Sequence, residues 1–536
     1  MWYKWIFFVS FATLISCTKH NPSQPPRPTR NLIILIGDGM GPQQLALLAS
    51  YRKLAPNPAG DSRDIAIERL LRRGESGLMM TFPYGALVVD SAASATQLAT
   101  GQMSRSEMIG LNAEGKTAQT IMEKAAEAGK STGLISNTRL THATPASFAA
   151  HEIHRSKENQ IAADLVQSGV DIMLSGGYRY FLPQDVNVAN TPAAQSYRRQ
   201  IPAHLPLTSS RNDNRDLIEQ AQQSGYEIVY DRRALLASKQ AKILGLFAPA
   251  AMPDAIRQNQ LAAQESRAMP NLQEMTQKAL TQLNKNPEGF VLMVESGQID
   301  WAGHSNDVGT MLHEMLRFDA LIGDILDWVD QRDDTLVVLT ADHETGSFGF
   351  SYSRYQRPSP FVLEASGKTF QPNYNFGTVD VLDRIYQQKK SLAAIWNDFT
   401  SQPDDRQTAA TLAKLVNESM AFKITTDQAA EVLRNAQELP DFPQINDFSE
   451  YYVNSTTGRT GLLARELAKD QQVVWGTGTH TTTPVVVGAY GPTAWTREFG
   501  GFWHSHEIGQ KMMRALALPL PKATISAGSQ PAAEQQ

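Results

Sequence analysis

Three short apolar runs in this chain end on a carboxylate or an imidazole, and that repeated juncture restricts the fold more than any other feature of the sequence. Residues 31–36, 289–294 and 335–340 are rich in Val, Ile and Leu, and they run into Gly37-Asp38-Gly39, Glu295-Ser296-Gly297 and Ala341-Asp342-His343. Such runs are how strands of a parallel sheet read when both faces are covered. Residues 85–89 and 131–136 are read the same way, and helical patterns over 117–128 and 313–330 alternate with the strands. This alternation predicts an α/β fold: a three-layer αβα sandwich around a mostly parallel central sheet, with ligands gathered beyond the carboxyl ends of the strands. The chain has 536 residues, 42% of them hydrophobic, which is enough to bury such a core.

The pattern changes over about 351–470, which is polar and aromatic, carries Pro358, Pro360, Pro372 and Pro403, and then shows amphipathic helices near 408–420 and 426–436. It is read as an inserted polar and helical subdomain. Residues 190–215 read as a long surface excursion, and 519–536 as a disordered tail. At the other end, Lys4 precedes an apolar stretch over 5–15 and then Ser16-Cys17, the order of a secretory signal over 1–16. Leu14-Ile15-Ser16-Cys17 also resembles a bacterial lipobox, which implies a lipidated Cys17, with a plain cleaved signal and an incidental cysteine as the alternative. Thr18 is not the aspartate associated with inner-membrane retention, so the expected location is the periplasm, anchored to the outer membrane through Cys17. Residues 17–30, with four prolines, read as a tether. Cys17 is the sole cysteine, so no intrachain disulfide forms. No apolar run reaches about 20 residues, which excludes a polytopic membrane protein. A net charge of -5 removes the footprint of a general nucleic-acid binder, and no specific nucleic-acid partner is expected.

Five segments carry chemistry, and each has a bland reading when taken alone. Asp38 between glycines could be a turn. Ser91, in Val88-Val89-Asp90-Ser91-Ala92-Ala93-Ser94-Ala95-Thr96, sits where a helix begins and could be a cap, although the small neighbours leave space around its hydroxyl. Asp300 and His304 stand four apart, able to chelate zinc from one helical face or to form a surface ion pair. Asp342 and His343 follow an apolar run and could simply open a loop. His480 lies in the Gly/Thr loop Gly476-Thr477-Gly478-Thr479-His480-Thr481. Their co-occurrence is more informative than any one of them, because a single α/β site would collect them all.

The order Gly37-Asp38-Gly39-Met40-Gly41, Asp90-Ser91-Ala92-Ala93-Ser94-Ala95-Thr96, His142-Ala143-Thr144-Pro145-Ala146, Glu295 with Asp300 and His304, Thr340-Ala341-Asp342-His343-Glu344 and Gly478-Thr479-His480-Thr481 resembles the alkaline phosphatase family. The resemblance runs from about 31 to 518, apart from the insertion. It implies metal-dependent hydrolysis of small phosphate monoesters through a phosphoserine on Ser91, with Arg155 clasping phosphate. It implies two Zn2+ and one Mg2+: one zinc on Asp300, His304 and His480, a second on Asp38, Asp342 and His343, and magnesium on Asp38, Thr144 and Glu295. The residue types suit this chemistry, since mixed His/carboxylate sets favour zinc and all-oxygen sets favour magnesium. A homodimer is compatible with the pattern without being required by it. Two positions depart from the best-known bacterial members: His142 replaces an aspartate near the third ion, and Trp301 replaces a lysine or histidine beside Asp300. Magnesium preference at the third site is therefore left open. His504 and His506 match no motif and read as structural. A phosphodiesterase-leaning relative and a catalytically silent metal- or phosphate-binding lipoprotein are the competing readings. A sulfatase is excluded, because Ser91-Ala92-Ala93-Ser94-Ala95 lacks the Pro and Arg of that motif.

Overall fold

A computed structural model describes residues 27–522, apart from 61, 204, 263, 265, 266 and 435–454. The signal, Cys17, most of the tether, the tail beyond 522 and the end of the helix expected over 426–436 lie outside the described residues. Ten strands form the central sheet: β1 (Asn31–Gly37), β2 (Glu75–Met80), β3 (Ser131–Arg139), β4 (Ile172–Gly176), β5 (Glu227–Val229), β6 (Ile243–Leu246), β7 (Phe290–Ser296), β8 (Thr335–Thr340), β9 (Val485–Tyr490) and β10 (Gly501–His504). Across the sheet the order is β10-β2-β9-β8-β1-β7-β3-β4-β6-β5. Every pairing is parallel except the two made by β9, with β2 and with β8. β1, β7 and β8 are buried along their whole length, which is why they read as unbroken apolar runs rather than alternating ones.

Helices cover the sheet in two groups. Ser91–Thr100 packs against Ser505–Ala515 and Ile121–Glu127, while the long Val308–Val329 packs on Pro42–Leu54, Ala66–Arg73 and Ala255–Ala262. The three-layer expectation therefore holds. The expected strand over 85–89 does not form. Gly85 has φ +79° and Leu87 is 82% exposed, so this apolar run is a turn facing solvent. Among the described residues no helix is long and apolar enough to cross a membrane.

The 351–470 block leaves and rejoins the sheet domain through a two-stranded ribbon, Phe348–Phe350 against Val473–Trp475. Inside it, Leu392–Thr400, Ala409–Ser419, Thr426–Leu433 and Ser455–Gln471 pack on one another around Ile395, Phe399, Leu412, Val416 and Leu463. In the 190–215 stretch, Pro192–Gln200 is helical and buries Tyr197, so this segment is more structured than an open excursion.

Candidate metal centre

Sheet topology brings every candidate to one edge. Asp38 follows β1, Glu295 ends β7, and Asp342 and His343 follow β8. β9 runs antiparallel to β8, so His480, five residues before β9 begins, returns to the same end. Ser91 opens its helix after the turn that follows β2, and Asp90 caps that helix by accepting from Ala92 and Ala93 N–H at 3.2 Å each. Gly39 is required where it stands: it has φ +72°, and a Cβ there would lie 2.7 Å from the Asp300 Cα.

Three groups of ligand atoms converge: Asp300, His304 and His480; Asp38, Asp342 and His343; and Asp38, His142 and Glu295. All but the partly buried His304 and His480 are buried. Hydrogen bonds set the imidazole tautomers. His304 Nδ1–H donates to Gly478 O (2.7 Å) and His480 Nδ1–H to Val89 O (2.8 Å), which leaves their Nε2 lone pairs 3.1 Å apart and facing each other. Thr345 Oγ1 donates to Asp300 Oδ1 (2.5 Å), so it accepts from His343 Nδ1–H (3.2 Å). His343 Nε2 then faces Ser91 Oγ (3.1 Å), Asp342 Oδ2 (3.3 Å) and Asp38 Oδ1 (3.6 Å). Fixing the tautomer from behind in this way is how proteins prepare imidazole for a metal.

The charge pattern demands a cation. Burial, then the carboxylates of Asp342, Asp300 and Glu295, holds Asp38 well above the usual carboxyl range. Asp342 is pushed up to about 7 by burial and then by Asp300. His343 lies well below the usual imidazole range through burial and then His480. Asp38 Oδ1, Asp342 Oδ2, Glu295 Oε1 and His142 Nδ1 are buried without a hydrogen-bond partner, and all four sit in these groups. The three carboxylate oxygens among them bring lone pairs that are costly to leave crowded and unpaired unless ions occupy the space between them. The residues fit divalent ions.

The remaining expected residues surround these groups. Thr144 Oγ1 donates to Asp38 Oδ2 at 3.5 Å. Arg155 is partly buried; Nη1 pairs with Asp90 Oδ2 (2.9 Å) and Nη2 donates to His142 Nε2 (3.3 Å). Trp301 presents its ring edgewise to His142, with centroids 5.9 Å apart. His504 and His506 lie elsewhere: His504 Nε2–H donates to Phe82 O at 2.9 Å, a structural contact. Sequence reasoning assigned no role to Asp90, Thr345, Ser136 or Thr138. Asp90 could have been found, because an Asp just before a helix is a capping signal. Ser136 and Thr138, whose hydroxyls hold Glu295 Oε2, give no local sign of their role.

Fold and site together define an α/β enzyme with three adjoining candidate cation sites around a helix-initiating serine. A sequence model of the family described as alkaline phosphatase matches residues 29–518. Alkaline phosphatase 3 of Bacillus subtilis (strain 168) is 30% identical over 500 residues, covering 91% of this chain and 89% of its own. Among solved structures, Thermus thermophilus alkaline phosphatase superposes with TM-score 0.75 at 25% identity, covering 93% of this chain and 94% of its own. The cold-active alkaline phosphatase of a psychrophilic Shewanella sp. superposes with TM-score 0.64 at 28% identity, covering 92% of this chain and 100% of its own. This chain belongs to the alkaline phosphatase family.

Proposed function

We propose that the protein hydrolyses phosphate monoesters, transferring the phosphoryl group first to Ser91 and then to water. The carrying observation is the buried Ser91 hydroxyl at a helix N-terminus, 3.1 Å from His343 within the second ligand group. Asp300, His304 and His480 would hold one Zn2+, Asp38, Asp342 and His343 a second, and Asp38, Thr144 and Glu295 a Mg2+. Bound there, such ions lower the pKa of an adjacent hydroxyl and offset the negative charge gathered on phosphoryl oxygens.

The chain's own groups do the rest. Ser91 Oγ forms the new bond to phosphorus as the ester oxygen departs with the alcohol, giving phosphoserine; water then releases inorganic phosphate and restores the hydroxyl. The positive end of the Ser91–Thr100 helix dipole favours an anion beside it, with the Ala92 and Ala93 N–H groups already held by Asp90. Arg155 offers a planar fork to two phosphoryl oxygens, and Asp90 holds that fork in the site. His142, neutral because burial and then Arg139 and Arg155 hold it below its ordinary range, separates Arg155 from Glu295. Export and anchoring through a lipidated Cys17 belong to the same reading, supported by Lys4, the apolar 5–15 stretch and Leu14-Ile15-Ser16-Cys17.

The test is release of inorganic phosphate from a chromogenic monoester by the purified chain, before chelation, after it, and after zinc and magnesium are restored. Loss and recovery of turnover are expected, with a diester turned over more slowly. Turnover indifferent to chelation, or faster on the diester, would overturn the reading.

A further inference from the structure

One buried carboxylate lies behind the site and is used by none of the steps above. Glu314, in the Val308–Val329 helix, is 2% exposed. Its Oε1 accepts from Ala255 N–H (2.6 Å) and its Oε2 from Asn137 Nδ2–H (3.3 Å). Asn137 is also buried, and its Oδ1 accepts from Gly297 N–H at 2.7 Å. Its backbone oxygen accepts from Gln298 Nε2 (2.9 Å), which also donates to Met252 O (2.8 Å). Asn137 thus ties the irregular end of β3 to the corner between β7 and the Gln298–His304 helix.

That irregular end is what orients Glu295. β3 and β7 pair in register from Ser131 to Ser136, while on its other side the register of β3 against β4 shifts between Ile135 and Arg139. The hydroxyls flanking Asn137 both reach one oxygen of Glu295: Ser136 directly, and Thr138 at 3.3 Å. The other oxygen, Glu295 Oε1, is left for the third ion.

Burial, then Asp254, pushes the Glu314 carboxyl up to about 8, yet both of its oxygens face donors, Ala255 N–H and Asn137 Nδ2–H, and this pairing fixes which way the Asn137 amide points. Its NH2 must face Glu314, and its oxygen must then face Gly297 N–H. We propose that Glu314 is a positioning residue for the third ion: by setting the Asn137 amide it locks the β3 end and so holds Glu295 in its ligating orientation. This rests on the metal assignments proposed above.

The polarity of the chain supplies the test. In Glu314→Gln the introduced amide can accept from Ala255 N–H only by turning its NH2 on Asn137. Asn137 must then either meet that NH2 with its own or flip and turn its NH2 on Gly297 N–H. A donor faces a donor in every arrangement. Asn137→Asp alone sets two carboxyl groups against each other, which only a shared proton reconciles. The double variant Glu314→Gln/Asn137→Asp satisfies every group again: the new amide accepts from Ala255 and donates to the new carboxylate, which accepts from Gly297. Matching polarity, rather than either residue, is what the proposal requires.

The readout is metal content per chain by elemental analysis, after dialysis of zinc-loaded protein against a series of free Mg2+ concentrations. Partners behind metal ligands typically change affinity by about 10- to 100-fold. Glu314→Gln should raise the free Mg2+ for half-occupancy by about that factor and leave the two zinc ions in place, and the double variant should recover most of the loss. An unchanged midpoint in Glu314→Gln, equal loss of all three ions, or a folded double variant without recovery would overturn the proposal. If Glu314→Gln fails to fold, as judged by near-ultraviolet circular dichroism, the double variant decides: recovery supports the proposal, and failure to fold or to hold the third ion overturns it. A wild type that binds fewer than three ions would instead contradict the metal assignment, a distinguishable result.

Discussion

At the scale of single residues, Arg155 and His142 carry the predictions that differ most from a generic site of this family. Arg155 is the guanidinium held by Asp90, the residue before Ser91, and Trp301 brings no second cation to Asp300's neighbourhood. Its fork meets oxygens that are charged in ground and transition states alike, so Arg155→Ala should raise KM and the inhibition constant of inorganic phosphate about tenfold or more, with a smaller fall in kcat. Steady-state kinetics with phosphate as competitive inhibitor reads this out; an unchanged inhibition constant with a collapsed kcat would place Arg155 in a different role. His142 accepts from Arg155 at Nε2, so the proton of the neutral ring lies on Nδ1, which is 3.9 Å from Glu295 Oε1. Direct ligation would need the opposite tautomer, with an N–H turned on Arg155. Imidazole favours zinc over magnesium where it does bind. His142→Asp, by adding a carboxylate beside Glu295 in place of a ring that does not ligate, should lower the free Mg2+ needed to fill the third site. Superimposable magnesium-binding curves for wild type and variant would show that His142 has no influence on selectivity.

Between single side chains and the whole fold, the elements explain what could be read in advance. β1, β7 and β8 were legible because central parallel strands are apolar on both faces, and the acid that ends each run marks the ligand edge. The 85–89 run has the same composition, yet Leu87 and Val88 face solvent; composition alone does not separate a buried strand from an exposed apolar turn. β2 was hidden by the opposite problem, since Glu75-Ser76-Gly77-Leu78 is only partly buried. Asn137 and Glu314 are 177 residues apart, and no local pattern links them. Candidate ligands with a sequence motif could be named in advance and are brought together, and the groups orienting them from behind could not. The last helix, Ser505–Ala515, offers a test away from the metals. His504 N–H donates to Glu507 Oε2 (2.7 Å), while its ring donates to Phe82 O and accepts from His506 Nδ1–H (2.8 Å). Burial, then His506, lowers its pKa to about 3, so the folded state keeps the ring neutral where the unfolded chain takes up a proton. Its contribution is complete above about pH 6.5 and lost as pH falls towards 3, about 3 kcal/mol between pH 6.5 and 4. Urea unfolding across that range should show a shallower acid decline for His504→Gln than for wild type; parallel curves would mean that the ring titrates freely.

For the molecule as a whole, the fold converts separation in sequence into contact. Asp38 and His480 lie near opposite ends of the chain, and an antiparallel strand, β9, inserted in a parallel sheet brings the second back to the first. The 351–470 block joins at the same place. Its ribbon pairs Phe348 with Trp475, and the next pairing along the same two segments is Thr345 with His480. The block is thus built onto the loop that carries a candidate metal ligand, His480, which explains how a large insertion can be accommodated without interrupting the sheet. All these elements converge on the Ser91 hydroxyl, and the central claim is that this oxygen receives the phosphoryl group. The most direct measurement is acid quenching of the metal-loaded enzyme during turnover of a labelled monoester, followed by peptide mass spectrometry. The account predicts one phosphoryl group on the peptide containing Ser91, and none on that peptide in Ser91→Ala. Label on the Ala variant at wild-type stoichiometry, or label on another residue during full turnover, would contradict it.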